Sequence, residues 1–570
     1  MYSNKENVNI LTALLVVHGI RHAVVCPGSR NSPIVHNLNE CPDIQCWPVT
    51  DERSAGFYAL GLALLNEEPV AVCVTSGTAL LNLAPAVAEA YYQHVPLVVI
   101  SADRPPQWID QLDGQTLPQP DALGHFVKKA VTLIEPHNDE GHWYCNRLVN
   151  EALIDVYGRE KQPVHINVPI SEPLFQFDVA QLPIERGVGR AQGKVNHQDI
   201  ALGDWSPLRE FWRAKRPMVI VGQNRLFSLN DISTLSKHAV ILHESIGCHE
   251  GTSHFDEVLY AMDNSDELLP DFVIYGGGTI VSKRLKSFLR KAKNAYFWEC
   301  SQDGQLHDTF MNVDGVIEGK IDDVLELFND YLEDISYYEE AYDEKLGTLS
   351  DTSEFVACWE TLLLKAHTLA DQYVPAYSQM AAVKHFEYVV GLLDCSPAVH
   401  FGNSSAVRLA NIYSKGFNYC NRGVNGIEGS LSTAAGFSCV TDVKVCCVIG
   451  DLSFFYDQNA LWNQNLRGNL RILLMNNGKG GIFNMLKGLE QSPVRDKYVA
   501  AEHHTSAAGI CQQNNVGYMK AENMEEMQYG INRLLQAESD RPMLLEVFTD
   551  AAEDERVFRD YYKAIKDIKI

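Results

Sequence analysis

Asp451 and Asn477 close two short apolar runs, Val443 to Ile449 and Leu470 to Met475, within the segment VKVCCVIGDLSFFYDQNALWNQNLRGNLRILLMNNGKGGIF. One carboxylate and one amide oxygen suit a hard cation. Mg²⁺ takes octahedral oxygen ligands at about 2.0–2.1 Å and is commonly held by one or two carboxylates plus phosphate oxygens. Glycine-rich turns and helix starts next to such a pair supply free N–H groups for phosphate. A second acid, Glu52, stands in Thr50-Asp51-Glu52-Arg53-Ser54-Ala55-Gly56, after a strand-like stretch and before a helix rich in Ala and Gly. The plain alternatives are a helix-capping Asp451 and a Glu52 that complements a helix dipole. Arg30, Arg104, Lys283, Arg284, Arg408 and Arg422 form a further set, because guanidinium groups read planar carboxylates bidentately. Taken singly, any of them could be a solvated surface charge, so the argument rests on the set.

Positioning these groups requires parallel sheets. Each apolar run is short, aliphatic or β-branched and closed by a turn signal, as in a buried parallel strand, and such sheets collect ligands beyond the carboxyl ends of their strands. The stretch between the two runs is expected to carry a crossover helix. In the first part of the chain, His22 to Cys26, Val70 to Thr75, Leu97 to Ala102 and Val164 to Val168 read as strands between helices. Met218 to Val221, Ala239 to Leu242, Phe272 to Tyr275 and Ala295 to Glu299 do so in the middle. The fold class is therefore α/β, with three doubly wound, mostly parallel-sheet domains: residues 1–185, 195–345 and 356–570. Linkers are expected at 182–194 and 331–355. Val70 to Thr75 leads through Ser76-Gly77-Thr78 and a helix to the strand Leu97 to Ala102, much as Val443 to Asp451 leads to Asn477. The outer domains are thus expected to share one plan and to face each other across a cleft.

The 570 residues allow several cores, with 46% hydrophobic and 21% charged residues. The formal charge of −26 disfavours nucleic acid and anionic membranes as partners. It also means that cations gathered on one cavity would mark an anionic substrate. No apolar run nears the roughly 20 residues of a membrane span, and Leu11 to Val17 lacks the flanks of a signal peptide, so a cytoplasmic protein is expected. The 14 cysteines include no Cys-x-x-Cys pair and read as buried free thiols. Gly276-Gly277-Gly278 lacks nucleotide-loop spacing and reads as a close-packed turn presenting Lys283 and Arg284, with no flavin expected. His503-His504 reads as a surface loop.

Gly450-Asp451-Leu452 with Asn476-Asn477 resembles the signature of thiamine-diphosphate enzymes. That resemblance implies thiamine diphosphate with Mg²⁺ or Mn²⁺ on Asp451, Asn477 and the Lys479 carbonyl. It implies Glu52 on the pyrimidine N1′, favouring the imino tautomer that deprotonates C2. It further implies a homodimer or homotetramer with the active site between subunits. Within this superfamily the chain is similar, nearly end to end, to the synthases of menaquinone biosynthesis that decarboxylate 2-oxoglutarate and add the succinyl unit to isochorismate in a Stetter-like conjugate addition. The likeness rests on Cys26-Pro27-Gly28-Ser29-Arg30, Ser101 to Pro106, Ser282-Lys283-Arg284-Leu285, Gly402-Asn403-Ser404 with Arg408, Asn421-Arg422-Gly423 and Gly426-Ile427. It implies that Gly402, Ser404, Gly450, Leu452 and Ser453 contact the cofactor, that Ile427 wedges it into a bent form, and that Ile482 and Phe483 line the thiazolium pocket. Ser404 and Arg408 are implied for the succinyl carboxylate, and Ser29, Arg30, Arg104, Gln115, Lys283 and Arg284 for isochorismate. Arg422 is implied beside the reacting centre, with Arg30, Gln115 and Glu52 also catalytic. Where members of this family carry a further Asn and a Gln around the turn, this chain has Gly478 and Gly481, which removes a side-chain contact. The rival readings are a pyruvate-type 2-oxoacid enzyme on the same fold, which needs fewer cations, and a scaffold that binds the cofactor without catalysis.

Overall fold

The computed structural model describes residues 1–158, 161–189, 206–263, 265–346, 348–485 and 488–566. Three sheets organise the chain, and every strand pair in them is parallel. The first contains β1 (His22–Val25), β2 (Gln45–Pro48), β3 (Val70–Val74), β4 (Leu97–Asp103), β5 (Lys129–Thr132) and β6 (Val164–Pro169), in the order β2-β1-β3-β4-β6-β5. The middle sheet contains β7 (Pro217–Val221), β8 (Val240–His243), β9 (Phe272–Gly276), β10 (Tyr296–Ser301) and β11 (Gly315–Glu318), in the order β11-β10-β9-β7-β8. The last contains β12 (Ala398–Phe401), β13 (Val445–Gly450), β14 (Leu470–Asn476), β15 (Gly517–Ala521) and β16 (Met543–Phe548), in the order β12-β13-β14-β16-β15. All the strands expected from sequence are present. Once β2 is set aside, the first and last sheets have the same strand order, as their shared plan suggested.

Burial explains why these runs form strands. β3, β4, β6, β9 and β14 are buried along their whole length, as strands covered by helices on both faces must be. The first and last units are joined through the helices Glu52–Asn66 and Ser430–Cys439. Ser54 to Ala63 are all buried in the former, and every residue of the latter is buried. The two helices approach so closely that a Cβ on Gly61 would lie 2.0 Å from the Thr433 carbonyl oxygen, and one on Gly436 would lie 2.3 Å from that of Tyr58. One hydrophobic cluster accordingly runs from Phe57 and Val72 to Leu431, Ile449 and Leu474. A second runs from Val273 and Phe288 of the middle unit to Trp359, Phe386 and Val448.

One detail departs from the sequence reading. The crossover after Asp451 is a six-residue helix, Asp451–Tyr456, followed by a 3-10 turn, Gln458–Leu461, rather than one long helix. The acidic 331–355 stretch is largely helical, with the helix Ile321–Leu346 taking up its first part and Ser353–Gln372 beginning at its end. Phe355, Val356 and Trp359 of that next helix share a cluster with the middle unit. Of the 182–194 linker, residues 190–194 lie outside the described residues.

Candidate active site

The carboxyl ends of β13, β14 and β16 meet at Asp451. Its residue is 4% exposed, and its carboxylate accepts hydrogen bonds from Leu452 N–H at 2.7 Å, Asn477 N–H at 3.1 Å and Gly478 N–H at 2.8 Å. Asp451 is therefore more than a cap, since Gly450 occupies the N-cap position and the carboxylate ties the helix start to the Asn477 turn. Gly478 sits at φ +76° with the His503 carbonyl oxygen 2.9 Å from where a Cβ would be, so glycine relieves both strain and crowding there. A Cβ on Gly481 would lie 3.0 Å from Asn477 Nδ2. The Asn477 side chain donates from Nδ2 to Asp554 at 3.0 Å, and its Oδ1 takes only a long 3.4 Å bond from Lys479 N–H.

Asn477 and Gly481 line one cavity with Ser405, Arg408 and Asp554. Ser404, at φ +74°, opens the helix Ser405–Tyr413 immediately after β12 and Gly402. Arg408 has no hydrogen bond or ion pair among the described residues, and burial lowers its pKa. Ile482 and Phe483 follow in a 3-10 turn, Gly481–Met485, and are half-buried. The Lys479 ammonium pairs with Asp496 at 3.3 Å.

Arg422 and Ile427 lie on a loop held from all three units. Glu89 accepts from Gly423 N–H and Val424 N–H, both at 2.7 Å. Thr279 donates to the Arg422 carbonyl at 2.8 Å. Asn403 donates to the Asn421 and Gly426 carbonyls at 2.6 and 2.7 Å and accepts from Arg422 at 3.1 Å. Burial pushes the Glu89 carboxyl up against these donors. Ser453 donates to the Ile427 carbonyl at 2.7 Å, which leaves the Ile427 side chain on a residue 41% exposed.

Glu52 opens its helix just beyond β2 and accepts from Asn82 Nδ2 at 3.2 Å. Its neighbours reach the last unit: Asn459 donates to Asp51 at 2.7 Å, and the Arg53 guanidinium lies 4.4 Å from the Tyr456 ring centroid. Among the described residues no hydrogen bond or ion pair joins Glu52 to the Asp451 turn. At the same edge of the first sheet, Arg30 is buried, donating to the Ile170 carbonyl at 2.8 Å and to Glu172 at 2.9 Å. Burial, then repulsion from Arg104, lowers its pKa. Arg104 pairs with Asp113 at 3.3 Å while its Nε is buried without a partner. Ser29 and Gln115 are exposed, and the Gln115 backbone packs against Gly77.

Two expectations meet a different setting. Arg284 bonds Asp256 and lies 4.8 and 4.6 Å from the ring centroids of Tyr260 and Tyr562, while Lys283 is exposed at the start of that helix. His503 is no free surface residue. Its ring packs edge-on to Phe455 at 5.4 Å, and its Nε2 stands 3.5 Å from the Asp451 carboxylate, which raises its pKa. The sequence reading missed Asp554, Glu89 and Glu244. Glu244 accepts from Val281 and Ser282 N–H at 2.7 and 2.8 Å, near Arg422, and burial pushes its pKa to about 7. An acid directly after an apolar strand, as Glu244 stands after β8, was the available signal.

The Asp451 carboxylate and the Asn477 amide oxygen, with backbone N–H groups and the Arg408 guanidinium alongside, fit a divalent cation carrying an anionic ligand. The thiamine pyrophosphate enzyme N-terminal TPP binding domain matches residues 6–124, and the corresponding C-terminal TPP binding domain matches 402–547. A Bacteroides thetaiotaomicron 2-succinyl-5-enolpyruvyl-6-hydroxy-3-cyclohexene-1-carboxylate synthase is 45% identical, covering 99% of this chain and 100% of that protein. Synthases of the same name from Bacteroides fragilis and Phocaeicola vulgatus are 44% and 42% identical, each covering 100% of both chains. With both halves of a thiamine-diphosphate site in place and such relatives along its whole length, the chain belongs to the 2-succinyl-5-enolpyruvyl-6-hydroxy-3-cyclohexene-1-carboxylate synthase family of thiamine-diphosphate-dependent transferases.

Proposed function

We propose that this enzyme decarboxylates 2-oxoglutarate and joins the succinyl unit to isochorismate by conjugate addition, as a step of menaquinone biosynthesis. The observation that carries the choice of donor is Arg408, a half-buried guanidinium without an ionic partner among the described residues, on the cavity that Asn477 lines. A donor with a second carboxylate supplies that partner. When bound, thiamine diphosphate would supply the carbon nucleophile and electron sink that decarboxylation of a 2-oxo acid needs. Asp451, Asn477 and the Lys479 carbonyl would hold Mg²⁺ or Mn²⁺ with the diphosphate. Gly402, Ser404, Gly450, Leu452 and Ser453 would contact the cofactor at the strand ends. Glu52 would hold a proton at its pyrimidine ring. Ile427 would pack against it, and Ile482 and Phe483 would keep water from the reacting carbon.

Arg30 and Arg104, adjacent at the edge of the first sheet, receive the isochorismate carboxylates, with Ser29 and Gln115 beside them. Arg422 stands between the two groups, and Lys283 remains an outer contact. Exposed apolar side chains around these edges, among them Leu81, Leu112, Val424 and Ile427, support a second copy completing the site, hence a homodimer or homotetramer. No helix among the described residues is long and apolar enough to cross a membrane, and a biosynthetic role supports a cytoplasmic enzyme.

The donor assignment is tested by CO₂ release from carboxyl-labelled 2-oxoglutarate and pyruvate, with wild type and Arg408→Ala. The expected result is turnover of 2-oxoglutarate over pyruvate, with KM for 2-oxoglutarate raised by about 10-fold or more in the variant, since a charge-assisted hydrogen bond contributes roughly 1.5–3 kcal/mol. Equal use of both donors by wild type would favour the pyruvate-type reading.

A further inference from the structure

We propose that Asp554 is a positioning residue that fixes which end of the Asn477 amide faces the metal; this rests on the reading of Asn477 as a metal ligand. Asp554 lies in the helix Ala551–Ile565, just beyond β16. Its Oδ1 accepts from Gln379 N–H at 2.8 Å, and its Oδ2 accepts from Asn477 Nδ2 at 3.0 Å and from the Thr549 hydroxyl at 2.8 Å. Three donors converge on one carboxylate, which when ionised can only accept. Asn477 must therefore offer Asp554 its NH₂ group and turn its carbonyl oxygen the other way. Among the described residues that oxygen takes only the long contact from Lys479 N–H, so it retains a lone pair for a cation. An amide is a metal ligand through its oxygen alone, and the orientation of such a side chain is set by the network around it.

A role confined to anchoring the helix Ala551–Ile565 against Gln379 is the competing explanation, and Asp554→Asn separates the two. In that variant the Gln379 N–H, being backbone, keeps the remaining side-chain oxygen on its side. The new NH₂ group then takes the Oδ2 position. The Thr549 hydroxyl can rotate to accept from it, but Asn477 cannot donate to it and must flip, bringing its own NH₂ to the metal position. Shape is conserved and the fold kept, while the ligand is lost.

The test is Mn²⁺ binding in the presence of thiamine diphosphate, read from the electron paramagnetic resonance signal of free Mn²⁺, with circular dichroism confirming the fold. The expected result is a Kd raised about 10- to 100-fold in Asp554→Asn, with a smaller rise in Asp554→Ala, where water can accept from the Asn477 NH₂ group. Thr549→Ala, which leaves the Asn477 contact in place, should stay within about twofold. A folded Asp554→Asn that binds Mn²⁺ as wild type does overturns the proposal. Should that variant not fold, an unchanged Kd in Asp554→Ala overturns it. Asp451→Asn serves as reference: if it too binds Mn²⁺ normally, the underlying metal assignment fails and not merely the role of Asp554.

Discussion

Asp451 closes the gap between a helix start and a turn, and in the proposed site it would also present an oxygen to a cation. Its carboxylate already accepts three backbone N–H groups, so replacing it removes a ligand and also loosens Asn477 and Gly478. We expect Asp451→Ala to abolish metal-dependent cofactor binding, measurable by titration calorimetry with thiamine diphosphate and Mg²⁺. Glu52 stands apart from that cluster, so its removal should leave binding intact and strike the proton transfer instead. Glu52→Gln is expected to lower kcat by about 10²–10⁴-fold, the range for a positioned acid–base group, with cofactor affinity within a few-fold of wild type. Full activity in this variant would contradict the role given to Glu52. Asp451 and Asn477 were legible in the sequence because each terminates an apolar run and so must lie at a sheet edge. Asp554 and Glu89 were not, since their meaning comes from Gln379, Asn477, Gly423 and Val424, partners that no local pattern announces. Arg284 shows the converse: its motif was legible, but its partners Asp256, Tyr260 and Tyr562 were not.

The strands visible in the sequence are those buried on both faces, such as VAVCV at β3 and LRILLMN at β14. Those it missed are mostly edge strands, β5, β11, β12 and β15, where a segment such as GYMKA needs to satisfy only one neighbour and carries little periodicity. β16 is the exception: MLLEVF is central, and Glu546 interrupts its apolar run. That carboxylate is buried, yet it accepts from Asn476, Ser506, Ala507 and Tyr518. The helix pair Glu52–Asn66 and Ser430–Cys439 matters as an element because it carries Glu52 at one end. Gly61→Ala would drive a methyl into the Thr433 carbonyl. Overpacking of that kind costs about 1–3 kcal/mol, so a lowered melting temperature and a lower kcat are expected together. The loop of Arg422 and Ile427 is a comparable element. Glu89→Ala would orphan two backbone N–H groups at a cost of about 1–3 kcal/mol each, and limited proteolysis should then cut near Gly423 faster than in wild type.

Across the whole molecule, several buried carboxyls are held up by loss of solvation: Glu244, Glu387 and Asp457 to about 7 and Glu257 to about 8. A carboxyl raised in the folded state binds a proton that the unfolded chain has released, so its contribution to stability falls as pH climbs from the unfolded value through the folded one. Buried His165, His243, His254 and His400 act oppositely. Their pKa values fall to between about 3 and 4, so they favour folding as pH rises, an effect complete once pH exceeds their ordinary value of 6.5. Between about pH 6.5 and 8.5 the carboxyls therefore decide the sign. The melting temperature should fall across that window at constant ionic strength; a rise would contradict the reading.

Charge at this scale bears on the proposed specificity. In a chain of net charge −26, Arg30, Arg104, Arg408 and Arg422 stand at sheet edges where two polycarboxylates would meet. The central claim is that both are consumed together. It is tested most directly by following isochorismate disappearance with 2-oxoglutarate, thiamine diphosphate and Mg²⁺, omitting each in turn. Loss of isochorismate that requires all three is the predicted result. Release of CO₂ from 2-oxoglutarate while isochorismate persists would contradict it.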